Sequence, residues 1–164
     1  MATYTKYQTP VRANPSPSPV FIRQPVLNVV KLTNQIVDRV PSGTTNPIPL
    51  YAAGDNGGLV EAIEVYALGV NVKSVLRLYV AGIDSDEYYL LRELVLPVVT
   101  TAPADDIITG YPIRLDLFKI LFPASSDPAK PNTGARVPPG FELAVALGAA
   151  IAAGVNVVLT GGDY

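Results

Sequence analysis

The chain has 164 residues, sixteen prolines, thirteen glycines, and neither cysteine nor histidine. The missing cysteine excludes a disulfide framework and thiolate metal sites, and the missing histidine excludes Ser-His-Asp and Cys-His catalysis and removes the commonest zinc ligand. The net charge is −2, and the basic residues form no cluster of the kind that binds nucleic acid directly.

Residues 1–25 differ from the rest. They hold five prolines (Pro10, Pro15, Pro17, Pro19, Pro25), three basic residues and no acid. Proline fixes φ and removes a donor, so the segment is expected to be extended and polyproline-like rather than helical or part of a central strand. It reads equally as a partner-bound arm or a solvated tail, its three aromatics weighing for the arm against the usual disorder of chain termini. Tyr4, Lys6, Tyr7, Arg12, Phe21 and Arg23 are the candidate interface anchors, with Val11 and Ile22 spaced among them. The arm carries three of the twelve basic residues and none of the fourteen acidic ones, which leaves the body at −5. A basic arm on an acidic body suits self-association or an acidic neighbour.

The body, residues 26–164, reads as one β domain. Val26–Leu32 is apolar and β-branched, a strand candidate, and Ile36–Val40 is a second. Pro47-Ile48-Pro49-Leu50-Tyr51 is extended, and its prolines confine it to an edge. Gly54-Asp55-Asn56-Gly57-Gly58 is a turn, read as that of a hairpin. Leu59–Val70 fits a helix through Leu59, Ile63, Tyr66 and Val70, and a strand through Ile63, Val65 and Ala67. Ser74–Val80 is predicted to be a half-buried strand, with Leu76, Leu78 and Val80 on one face and Val75, Arg77 and Tyr79 on the other. Asp84-Ser85-Asp86 turns it back into an antiparallel partner, Glu87–Leu96. Val98–Gly110 is loop-like, and Tyr111–Phe122 is a further strand candidate. Pro123–Gly140, with five prolines and two glycines, reads as a long connection.

Leu143–Leu159 is seventeen residues without a charge, near the lower limit for crossing a membrane. Period two from Phe141 to Leu147 and β-branching from Val155 to Leu159 instead indicate two buried strands joined by small residues, and no membrane partner. Eight or so strands with long crossovers imply an all-β fold, an antiparallel β-sandwich of jelly-roll-like form behind an extended Pro-rich N-terminal arm.

No pattern in the body resolves into catalytic, cofactor or metal chemistry. The Gly54–Gly58 run lacks the lysine and Ser/Thr of a phosphate loop. Asp84-Ser85-Asp86-Glu87 lacks the spacing and glycine of a calcium loop, and Asp105-Asp106 lacks a third ligand. Glu61 and Glu64, three apart on a strand, are expected on opposite faces and so not to share a site. Arg77, Arg92 and Arg114 sit inside apolar runs, as interface anchors or paired with Glu93, Glu64 or Asp116.

Five stretches, in order, resemble a family of small structural proteins of tailed bacteriophages and prophages: Leu32-Thr33-Asn34-Gln35; Leu50 through Ile63; Ser74–Val80 followed by Tyr89-Leu90-Leu91-Arg92-Glu93; Val137-Pro138-Pro139-Gly140-Phe141-Glu142-Leu143; and Val155-Asn156-Val157 through Gly161-Gly162-Asp163-Tyr164. The chain departs from the family in its arm, in an insertion around Leu121–Arg136, and in Phe141, where the family usually has tryptophan. The resemblance implies a β-sandwich component of the virion and not an enzyme, without cofactors. It further implies a capsid cement or decoration protein, assembled in the host cytoplasm, that bridges major capsid protein subunits as a homo-oligomer, a trimer by analogy. The alternatives are a tail, neck or fibre protein, and a carbohydrate-binding sandwich using Tyr66, Tyr79, Tyr88 and Tyr89 in place of tryptophan.

Overall fold

A computed structural model describes residues 24–41, 46–100, 108, 110–115 and 134–164, together with the backbone of 122–123. Among these residues all regular elements are strands: β1 (Gln24–Leu32), β2 (Ile48–Ala52), β3 (Gly58–Ala67), β4 (Ser74–Gly82), β5 (Tyr89–Leu96), β6 (Ile113–Arg114), β7 (Phe122–Pro123), β8 (Ala135–Val137), β9 (Phe141–Leu147) and β10 (Val155–Asp163). They form two antiparallel sheets, one ordered β1-β10-β3-β8-β7 with β6 also on β3, the other ordered β2-β9-β4-β5.

The pairing is nested. β1 pairs with β10, β2 with β9, β3 with β8 and β4 with β5. This is one long antiparallel ribbon, folded back between β4 and β5 and wound so that successive pairs alternate between sheets. Contacts between windings, β10 on β3 and β9 on β4, close the two sheets of a jelly roll. The expected β-sandwich of jelly-roll form is therefore the observed fold.

The core lies between the sheets and follows strand alternation. β9 sends Leu143, Val145 and Leu147 inward, β4 sends Leu76 and Leu78, and β10 sends Val155, Val157 and Leu159. Leu59–Val70, open to two readings, is a strand as far as Ala67. As the central strand between β10 and β8 it takes the β-sheet partners that its own pattern could not specify.

Several expectations are corrected. β1 opens at Gln24, two residues inside the presumed arm, and Pro25 is tolerated because β1 is an edge strand. Ile36–Val40 makes a single bridge, from Ile36 to Leu147, and then crosses the outer face of the β2-β9-β4-β5 sheet as a strap. The Gly54–Gly58 turn joins strands of different sheets, so it is not a hairpin turn. Of Tyr111–Phe122, the described residues form only the two-residue strand β6 on β3 and the start of β7. The presumed connection Pro123–Gly140 contains β8, whose Ala135 and Val137 are core residues.

Registers place the ends of the elements. One end of the sandwich gathers the start of β1, the end of β10, the start of β3 and the end of β8 along the row Gln24–Asp163–Gly58–Val137. On the other sheet the turns 53–57, 83–88 and 138–140 meet there, as Ala52 and Ala81 both oppose Glu142 and Gly82 opposes Phe141. This is the turn end. The opposite end holds the loops 68–73 and 148–154.

Candidate interaction surfaces

The six anchors Tyr4, Lys6, Tyr7, Arg12, Phe21 and Arg23 lie outside the described residues, as does Asp105-Asp106. The described molecule presents four surfaces: the two outer sheet faces and the two ends.

The outer face of β2-β9-β4-β5 is covered. Its β9 residues are Ala144 and Ala146, small enough to let another backbone approach. Residues 35–39 cross there, held by Val37 N–H donating to Leu147 O at 3.0 Å and Leu147 N–H donating to Gln35 O at 2.8 Å. Val37 is buried against Ala144, Ala146 and Tyr79, with Tyr88 and Leu90 alongside. The Tyr79 hydroxyl donates to Asp38 O at 2.6 Å, and Arg77 Nη1 donates to Val37 O. Arg39 forms a two-point ion pair with Glu93 (3.0 and 2.7 Å), and Arg77 Nε joins the same carboxylate at 3.0 Å. Hydrogen bonds from Arg39 and then Arg77 lower the Glu93 pKa. Burial raises that of Tyr79. The Arg77–Glu93 pairing expected across β4 and β5 is thus present, but on a covered face, so β4 is buried on both sides rather than half-buried.

Among the described residues no segment crosses the outer face of β1-β10-β3 as 35–39 cross the other. Leu27 and Val29 are exposed to 67% and 55%. Val29 opposes Val158, which opposes Glu64 and then Arg114; Lys31 opposes Asn156 and then Tyr66. The β3–β10 register shifts between Thr160 and Gly161, a bulge that resets alternation, so Val60 and Ile63, three apart, are both core residues. The premise that put Glu61 and Glu64 on opposite faces therefore fails. Glu64 accepts from the Tyr66 hydroxyl at 2.8 Å, and Arg114 donates to Glu61 O at 3.4 Å; Asp116 lies outside the described residues. Gly161 is required at the bulge, because a Cβ there would lie 2.2 Å from the Leu59 carbonyl oxygen.

The turn end is pinned from inside. Tyr51, on β2, donates its hydroxyl to Asp163 Oδ1 at 2.5 Å, tying one sheet to the other; the Gly162 carbonyl lies at 3.3 Å. Burial first, then Asp163, raises the Tyr51 pKa far above its usual value. Gly54 N–H, one of the amides that would cradle an anion, donates to the same Asp163 oxygen at 3.1 Å. The turn 54–58 thus already holds an internal carboxylate. Around it the surface is acidic, with Asp55, Asp84, Asp86, Glu87 and Glu142 on the turns or next to them. Asp84 adopts φ 69°, and the Glu87 N–H donates to Ser85 Oγ at 3.1 Å. Among the described residues no group of three or more Asp, Glu, His or Cys is arranged to hold a metal. Ile83, Phe141 and Tyr89 are exposed between these charges, at 40%, 43% and 62%.

The opposite end is apolar. Thr33, Asn34, Val70, Asn71, Val72, Ala150 and Ala152 line an open hollow of about 470 Å³. Asn71 is internally engaged, donating to the Tyr111 hydroxyl at 3.1 Å and accepting from Val99 N–H at 2.6 Å.

The four tyrosines weighed as a sugar platform are not brought together. Tyr79 is fully buried and Tyr88 packs edge-on against it at 6.5 Å, whereas Tyr66 lies on β3 in one sheet and Tyr89 on β5 in the other. Among the described residues no helix is long and apolar enough to cross a membrane. The strap was missed in the sequence because Ile36–Val40 has a strand's composition and its covering role depends on alanines more than one hundred residues away. The available signal was Arg77 inside an apolar strand, a charge that needs partners when covered. Comparison with models of protein families, with curated proteins and with solved structures finds no match in any of the three.

Proposed function

We propose that the chain is a structural protein of a tailed-phage virion, a cement protein that binds the outside of the capsid and bridges neighbouring major capsid protein subunits. The observation that carries this reading is a jelly roll preceded by an acid-free, proline-rich segment, with one outer sheet face covered by residues 35–39 and Leu27 and Val29 exposed on the other. A jelly roll also serves lectins, so the fold alone does not select the role. The ordered resemblance to phage structural proteins and the aromatic-bearing arm support it. Affinity comes from apolar burial repeated over many copies and from strand addition by the arm.

The test is cosedimentation of the full-length protein with phage heads that lack it, followed by electron cryomicroscopy of the pellet. Density at regular lattice positions, with the arm lying across a neighbour, is expected. Replacing Tyr4, Tyr7 and Phe21 together with serine should weaken shell binding at least tenfold and leave the fold intact. Density only at the portal or tail would move the protein to a neck or tail role, and binding unaffected by the triple variant would remove the arm from the mechanism.

A further inference from the structure

The turn end carries an exposed apolar group inside an acidic rim. Ile83, Tyr89 and Phe141 come from the β4–β5 turn, the edge strand β5 and the start of β9, and the registers Gly82–Phe141 and Val80–Tyr89 keep them at the same end. Asp84, Asp86 and Glu87 lie beside them. Among the described residues Arg136, on β8, is the basic side chain of this end. The segment 1–23 has the opposite character, with three basic residues, no acid, and aromatics at Tyr4, Tyr7 and Phe21.

We propose that the Ile83–Tyr89–Phe141 surface is the docking site for the N-terminal segment of a second copy of this chain. Charge complementarity selects the segment, since a basic, aromatic strand meets apolar side chains framed by carboxylates. Geometry selects a second copy over the chain's own segment. Gln24 opposes Asp163 at the turn end, and Pro25 holds the residue before it extended. At Gln24, the first described residue, β1 points out of this end from the sheet opposite to the one that carries Ile83 and Tyr89. Twenty-three residues at about 3.1 Å each reach about 70 Å, whereas the nine residues of β1 at about 3.3 Å each span about 30 Å. The segment is long enough to cross to a neighbour. Each copy then donates one segment and accepts another, an arrangement that closes into a ring or runs on as an open chain. This inference rests on the reading of residues 1–23 as an interaction arm.

Because the chain has no cysteine, introduced cysteines report contact without background. Full-length protein carrying Thr5→Cys is mixed under mild oxidation with differently tagged full-length protein carrying Ser85→Cys. An intermolecular disulfide is expected, at least tenfold more abundant than with Val72→Cys at the opposite end. Adding Asp84→Asn, Asp86→Asn and Glu87→Gln to the acceptor should lower its yield at least tenfold, as should raising salt from low to high ionic strength. Equal cross-linking to Val72→Cys, no disulfide, or a yield indifferent to neutralisation would overturn the proposal. So would a Thr5→Cys/Ser85→Cys double variant that closes within one chain. Shell binding is read separately by cosedimentation: shells bound without the cross-link sink this docking alone, and the cross-link without shell binding sinks the capsid role alone.

Discussion

Beneath residues 35–39, the outer face of β2-β9-β4-β5 buries Tyr79, Ala144 and Ala146 completely. On β1-β10-β3 the equivalent face leaves Leu27 and Val29 more than half exposed. Both faces are antiparallel and both are partly apolar. The covered one has alanines where a backbone must come close, and Tyr79 and Arg77 to donate to the carbonyls of that backbone. A crossing strand without such donors would bury unpaired carbonyls, at a cost of about 1–3 kcal/mol each. The other face also carries donors, on Lys31, Asn156, Tyr66 and Arg114, but where the first has Ala144 and Ala146 its central strand β10 presents the larger Asn156, Val158 and Thr160. Covering a sheet thus takes small residues that admit a backbone together with donors placed to meet its carbonyls, and apolar area alone does not recruit a cover.

The largest break in this comparison is expected at Tyr79. Tyr79→Ala would remove a fully buried ring and the anchor to Asp38, costing about 3–5 kcal/mol in urea unfolding. A loss below 1 kcal/mol would mean that the strap does not form a second core. Next comes acid. Arg39 and Arg77 hold the Glu93 pKa below its ordinary value. A lowered carboxylate pKa contributes stability above the unfolded value, near 4.3, and that contribution disappears as pH falls through the folded value. Hydrogen-exchange protection of the Val37 amide, corrected for intrinsic rates, should therefore fall below about pH 4, and Glu93→Gln should show the reduced protection already at neutral pH. Unchanged protection in both would show that the strap is held by its backbone bonds and Val37 alone. The smallest effect is expected on the outer face of β1-β10-β3. Val29→Thr should change stability by no more than about 0.5 kcal/mol, because its side chain is more than half exposed. A larger loss would show that the face is covered in solution.

Much of the fold was legible because strand alternation is a local property. β4 and β9 showed which residues point together, the prolines marked β2 as an edge, and Gly54–Gly58 and Asp84-Ser85-Asp86 marked two of the turns. β8 was hidden among prolines because a three-residue strand has too few positions to show a period. The strap was hidden because its covering role comes from residues on other strands. The bulge at Gly161 was hidden because it is a relation between β3 and β10, and it undid a face assignment for Glu61 and Glu64 that is sound on an unbroken strand.

By itself the sequence determined the class of the fold, the lack of thiol and imidazole chemistry, and the contrast between a basic proline-rich segment and an acidic body. These follow from composition and from periodicity two, which need no knowledge of neighbours. Only the tertiary structure decided the nested winding, the covering of one sheet face, the tie from Tyr51 to Asp163, and the meeting of Ile83, Tyr89 and Phe141 at one end. Each of these joins residues far apart along the chain, and such contacts are fixed by how strands pair and sheets pack, which no local pattern encodes.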